Sequence, residues 1–501
     1  MRTKKSIYNF ISDALPYLIL GVLSFLRIRY IIKFYGEDVN GYVQLITQVF
    51  AYLALAEAGF GTAVIYKLYK PLADNDYDKV SSIVVGSKII FKKIALLMTV
   101  GSVICAVLIP LFINKGTLST SFIIFLFLLN SGHYLLEYFL IYPYTSLLQA
   151  DQNQYIFNFY RNLTKVSFGI LELYLMSLKL NLLLIVCINA LFTMIYIILV
   201  VKKIKKIYPW LNNGAVPDTT AFKMTKDVII HKLSNLIFSK TDPIILSKYS
   251  LGYVSIYSSY NYILEFLTTI ISKLYNALRA SYCNIVALGK TEDKKYFKMF
   301  LSFSFFIACF CCVTFYTTVN IFVEKFWLGK EFILEVPVVL LFAIIMFGRI
   351  IINPIYVARD SKGLYKETKV PTIMQAVANI ILSIILVKKY QIFGVLLATI
   401  ISQYMILIPF NVYIVYKKVF DANIKEFIIK LFLSLLNSTI LIVINYYIMH
   451  MLIVNNKVIV LLSMTLIAIV NLFECLIFYI LLDKDFKTLI NEIFKKIRGK
   501  R

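Results

Sequence analysis

The chain has 501 residues, of which 60% are apolar and only 16% charged, with a mean hydropathy of +0.79. That balance excludes an ordinary soluble domain, in which about a quarter of residues are charged. The formal net charge is +25, but its placement along the chain excludes a nucleic-acid footprint.

Apolar segments of about 20 residues, the length that crosses a bilayer as a helix, recur throughout. Fourteen can be read, near 13–34, 42–65, 94–113, 121–147, 160–178, 181–201, 228–248, 253–274, 299–323, 336–357, 371–388, 391–416, 427–450 and 456–482. With both termini cytoplasmic, the inward segments hold 39 of the 52 Lys and Arg. The outward segments hold ten, and Arg27, Arg29 and Arg349 lie inside spans. This is the positive-inside asymmetry of a multi-pass membrane protein. It explains the basic charge as topology.

The longest polar stretch, KKIKKIYPWLNNGAVPDTTAFKMTKD at 202–227, divides the chain after six spans, and no loop is long enough for a soluble catalytic domain. Two short similarities mark an internal repeat. Gly41-Tyr42-Val43 matches Gly252-Tyr253-Val254 at an offset of 211, and Asp151 and Tyr155 match Asp360 and Tyr365 at offsets of 209 and 210. Because six spans is even, both halves point the same way across the membrane, as in parallel-repeat transporters. The expected architecture is an all-α polytopic membrane protein of about 14 transmembrane helices, two parallel six-helix repeats plus two C-terminal helices. Residues 1–226 form the first bundle and linker, 227–420 the second bundle, and 421–501 the two added helices and a cytoplasmic tail. In that tail Phe486, Leu489, Ile490, Ile493, Phe494 and Ile497 share one face, the pattern of an interfacial amphipathic helix.

Seven cysteines without a C-x-x-C, and three histidines without H-E-x-x-H, support neither a zinc site nor a disulfide framework. No metal or cofactor is expected. Charges inside the spans carry the functional signal, because each costs about 2.5–3.5 kcal/mol at a helix centre. Arg27 and Arg29 lie in span 1, Glu57 in span 2, His133 and Glu137 in span 4, and Glu172 in span 5. Asp242 lies in span 7, Glu265 in span 8, Arg349 in span 10 and Glu474 in span 14.

Each has a structural and a functional reading. Arg27 and Arg29 are about 200° apart around a helix, so only one faces a given cavity. The small residues Ala54, Ala56, Ala58, Gly59 and Gly61 admit a neighbouring helix closely. There Glu57 either pairs with Arg27 or Arg29 or meets substrate or a coupling ion. His133 and Glu137, one turn apart, read as a packed polar pair or a proton relay. Asp242 precedes Pro243, where a kink frees a backbone carbonyl for a capping or cation-binding role. Arg349 binds either a helix carbonyl or an anion. The carboxylates permit Na⁺ or H⁺ coupling without identifying either.

The segments YGEDVNGYVQL, LAEAGFGTAV and TDPIILSKYSLGYVSIYS, together with the 6 + 6 + 2 plan, resemble the polysaccharide flippases of the MOP superfamily, the Wzx-type exporters. The resemblance implies a bacterial cytoplasmic-membrane protein, not an enzyme, working by alternating access for surface polysaccharide biosynthesis. Its substrate would be an undecaprenyl-diphosphate-linked oligosaccharide repeat unit. Its partners would be membrane lipids and polysaccharide assembly proteins. It also implies that Arg27 or Arg29 engages the diphosphate, and Arg349 is the comparable cation of the second half. A MATE-type cation-coupled drug exporter shares the 6 + 6 plan but normally stops at twelve spans. A lipid-dependent glycosyltransferase or polymerase would use acidic residues such as Glu37 and Asp38, but needs a sizeable outer loop that this chain lacks.

Overall fold

The computed structural model describes residues 2–57, 59–219, 226–287, 293–451 and 456–497. Every regular element among them is helical. In chain order they are α1 (Arg2–Tyr35), α2 (Glu37–Leu53), α3 (Phe60–Ala73), α4 (Tyr77–Phe112), α5 (Thr120–Leu140), α6 (Tyr142–Ala150), α7 (Gln154–Ser177), α8 (Leu182–Ile207) and α9 (Lys226–Ser247). There follow α10 (Leu251–Ala287), α11 (Asp293–Phe322), α12 (Val336–Ile351), α13 (Asn353–Ser361), α14 (Lys369–Ile401), α15 (Ile408–Phe420), α16 (Lys425–Met451), α17 (Lys457–Leu482) and α18 (Lys484–Ile497). Nine helices among the described residues are long and apolar enough to cross a membrane, one of them the 52-residue rod Lys369–Phe420 that turns at Gln391 (φ +49°). The chain is an all-α, multi-pass membrane protein whose helices follow the fourteen spans in order.

Spans 2, 4 and 10 are broken into two helices each, and span 12 passes from α14 to α15 through a π-helical turn at Ser402–Leu407. Span 2 breaks between α2 and α3 through a 3₁₀ turn at Ala54–Glu57 and a left-handed Gly59 (φ +91°). Span 4 breaks at Ile141, with Pro143 opening α6, and span 10 breaks at Ile352, with Pro354 opening α13. A proline lacks the N–H that a helix interior needs, but fits the first turn of a new helix. Pro143 and Pro354 are 211 residues apart, the offset that separates the two Gly-Tyr-Val motifs. The repeat is therefore structural as well as sequential.

The chain forms two compact units, Met1–Ser258 and Ser259–Arg501. In the first, α1 lies along α7, α4 and α5 pack together, and α8 contacts both α5 and α7. Tyr42 is fully buried and donates to the Ile123 carbonyl (2.8 Å). Phe50 stacks between Phe127 (5.3 Å) and Tyr134 (4.8 Å). The turns at one end are tied together. Asp38 Oδ2 accepts from the Thr117 N–H and hydroxyl, both at 2.9 Å, and the Asn114 N–H donates to the Ser247 carbonyl at 2.9 Å. Here the two copies of the repeated motif meet. A Cβ on Gly41 would lie 2.0 Å from the Leu251 carbonyl oxygen, and Asn40 Nδ2 donates to Ser255 Oγ at 2.8 Å. Only glycine permits that approach. At the other end, part of the polar linker packs on α4. Trp210 stacks on Tyr77 (4.3 Å), and Asp218 pairs with Lys67 (3.5 Å) and Lys79 (3.1 Å).

In the second unit α11 is central, contacting α12, α16, α17 and α18. The buried Lys430 Nζ donates to Ser302 Oγ (2.7 Å), Asp483 Oδ2 (2.9 Å) and Asp485 Oδ2 (2.9 Å). Asp483 also accepts from the Asp485 and Phe486 N–H groups, which caps α18. Phe486 is buried against Phe306 and Tyr479, while Ile493 and Phe494 of the same helix are exposed. Lys430→Met strands a buried carboxylate, so it is expected to destabilise the protein by about 3–5 kcal/mol. Adding Asp483→Asn should recover part of that loss in denaturant unfolding of the detergent-solubilised protein.

Candidate functional site

Five helices of the first unit enclose a cavity of about 230 Å³. α1 supplies Leu23, Ser24 and Arg27, α2 supplies Thr47, and α5 supplies Asn130, His133, Tyr134 and Glu137. α7 supplies Thr164, Lys165, Phe168 and Glu172, and α8 supplies Asn189, Phe192, Thr193 and Tyr196. The α7 residues share a face because steps of four and seven residues return to nearly the same direction on a helix. Arg161, four residues before Lys165, continues that row. With these charges on one face, α7 is not among the nine apolar helices.

The charges are interlocked. Arg27 Nε donates to Glu172 Oε1 at 2.9 Å. Glu137 Oε1 accepts from the Tyr196 hydroxyl at 2.5 Å and pairs with Arg161 Nε at 3.5 Å. The His133 ring lies 3.9 Å from that of Tyr134, and its Nδ1 is buried with no hydrogen-bond partner among the described residues. Arg27, Lys165 and two carboxylates therefore line one space, with aromatic faces, hydroxyls and amides between them, and Arg161 adds a third cation behind Glu137. Each carboxylate offsets part of the desolvation of a cation, which keeps the cluster tolerable at membrane depth. An arginine held at Nε still presents its terminal nitrogens, the planar fork that suits phosphate oxygens.

The site residues expected from the sequence fall in different places. Arg27, His133 and Glu137 line this cavity, whereas Arg29 lies on the exposed side of α1 and outside the lining. Arg27 pairs with Glu172, which corrects the expected pairing with Glu57. Glu57 Oε1 instead accepts from the Gly61 N–H at 3.3 Å. The break in span 2 leaves the first N–H groups of α3 without intrahelical partners, and a carboxylate there meets that need. Lys232 of α9 is the cation that acts on it. Asp242 is buried and accepts from the Tyr257 hydroxyl at 3.0 Å, and α9 runs helical through Pro243. Glu265 and Arg349 belong to the second unit, where Arg349 sits in the last turn of α12 before the Pro354 break. Arg161 and Lys165 escaped the sequence reading because positive-inside counting assigned them to a loop. Their spacing to Glu172 was the available signal.

No protein-family model and no curated protein matches the sequence. Solved structures do. A structure of the lipid II flippase MurJ in an inward closed conformation superposes with a TM-score of 0.66 at 19% identity, covering 95% of this chain and 99% of that one. An inward-facing multidrug resistance MATE family transporter of the MOP superfamily superposes with a TM-score of 0.58 at 12% identity, covering 80% of this chain and 96% of that one. The chain thus has the fold of MOP-superfamily transporters.

Proposed function

We propose that the protein is a flippase for undecaprenyl-diphosphate-linked oligosaccharides in a bacterial cytoplasmic membrane, with the first-unit cavity as the seat of the diphosphate. The observation that carries this reading is that the cations Arg27 and Lys165 line one cavity, with Arg161 paired to its Glu137 wall. A diphosphate bearing sugars cannot cross hydrocarbon unaided, because its charges would lose their hydration. Arg27 and Lys165 would replace water at the phosphates. Asn130, Asn189, Thr47 and Thr193 would hydrogen-bond the first sugar, and Tyr134 and Phe168 would stack on it. The likeness to a lipid II flippase over 95% of the chain supports a lipid-linked substrate. The two six-helix halves would alternately open the cavity to each side, with polysaccharide assembly proteins supplying and removing the lipid.

A drug-exporter reading has one observation in its favour, the carboxylates Glu137 and Glu172 in the same cavity. Both are engaged by arginines, which leaves them poorly placed to receive a cationic drug. Proteoliposomes loaded with a labelled undecaprenyl-diphosphate oligosaccharide separate the readings. Outer-leaflet sugar should become enzyme-accessible within minutes with the protein and not in empty vesicles. Uptake of cationic dyes without sugar exposure would instead select drug export.

A further inference from the structure

On the diphosphate reading above, the cavity's own charges do not balance those of the bound headgroup. The groups facing His133 are Arg27 from α1, Tyr134 and Glu137 from its own α5, Arg161, Lys165 and Glu172 from α7, and Tyr196 from α8. The cations exceed the carboxylates by one. A polyprenyl-diphosphate sugar is a diphosphate diester and brings two negative charges, neither of which titrates near neutrality. Binding it would leave the cavity one positive charge short, in a setting where unbalanced charge is costly.

His133 is the cavity group able to supply that charge. Among ionisable side chains, only imidazole ordinarily changes charge near neutral pH. Its Nδ1 is buried without a hydrogen-bond partner among the described residues, none of which uses that position. We infer that His133 takes up one proton from solvent when the diphosphate enters the cavity. Headgroup binding and proton binding are then reciprocal: each tightens the other by the same factor. The protein would carry its anionic headgroup with one compensating proton, and affinity would rise as pH falls. With the extra proton on the bound state, the sign is fixed: raising the pH opposes binding.

The test is titration calorimetry of the full-length protein in nanodiscs with farnesyl-diphosphate-linked N-acetylglucosamine as the probe. Runs near neutral pH in two buffers of different ionisation enthalpy give the number of protons taken up. The expected result is about one proton per bound probe, and a Kd that weakens by about tenfold per unit rise in pH. His133→Asn should bind with no proton uptake and a flat pH profile. Should that variant fail to fold, ¹⁵N-histidine NMR of the unaltered protein decides, since the chain has only three histidines. One imidazole should move to its doubly protonated signature on binding. Binding without proton uptake, uptake retained in His133→Asn, or histidine signals unmoved by the probe would overturn the inference alone. No binding of the probe would overturn the diphosphate reading and this inference together.

Discussion

Arg27→Ala is expected to slow flipping of a lipid-linked oligosaccharide by roughly tenfold to a hundredfold, while Arg29→Ala stays close to wild type. A hydrogen bond to a charged group is worth about 1.5–3 kcal/mol, and each 1.4 kcal/mol is tenfold in affinity. Arg27 lies in the cavity and Arg29 does not. The substitution also leaves Glu172 facing the incoming phosphates, which adds repulsion. Arg27→Lys should fall between, since an ammonium keeps the charge but lacks the planar fork. The double variant Arg27→Ala/Glu172→Ala separates binding from folding. It should recover thermal stability, because neither member of the Arg27–Glu172 pair is left without its partner, and still flip slowly. Recovery of flipping in that double variant would mean that Arg27 serves only as Glu172's structural counter-ion.

The second large effect is expected at Gly41. Its added methyl in Gly41→Ala would sit 2.0 Å from the Leu251 carbonyl oxygen, and a backbone atom cannot rotate aside. α2 and the start of α10 must separate, with loss of the Asn40–Ser255 hydrogen bond nearby. Overpacking of this kind costs about 1–3 kcal/mol. The thermal midpoint in detergent should drop by several degrees and flipping should fall with it. Gly132→Ala is the control, because nothing lies within 4 Å of a Cβ at that position. Equal behaviour of the two variants would show that the contact between the repeated motifs does not hold the helices together.

Much of the fold was legible because its determinants are long-range only in number. Apolar length and charge bias repeat fourteen times, so errors at single ends do not change the topology. What stayed hidden are features set by local backbone chemistry. Pro143 and Pro354 occupy the same place in each half, yet each looks like an ordinary membrane proline until its helix is seen to restart there. The glycines around Glu57 read as small residues for close packing, whereas Gly59 serves a left-handed turn and Glu57 serves the helix start that follows.

The site was half legible for a related reason. Arg27, His133 and Glu137 stood out because charge inside an apolar run is costly. Arg161 and Lys165 did not, since the charge tally placed them among the inward basic segments although they fall within the fifth apolar run. The helix α7 begins at Gln154, about two turns before Arg161, and carries all three on one face. Partner choice could not be read at all. Arg27 and Glu172 are 145 residues apart in sequence, and only packing of α1 along α7 brings them together.

Crosslinking in place shows whether the diphosphate sits in the first-unit cavity. A photoreactive benzoylphenylalanine replaces Phe192, a partly buried aromatic on the cavity wall. It is irradiated in membranes containing lipid-linked oligosaccharide radiolabelled in its phosphates. The predicted result is label on the protein that Arg27→Ala diminishes and excess unlabelled lipid-linked diphosphate removes. Labelling that survives both, or none at Phe192 in a variant that still flips its lipid, would place the headgroup elsewhere.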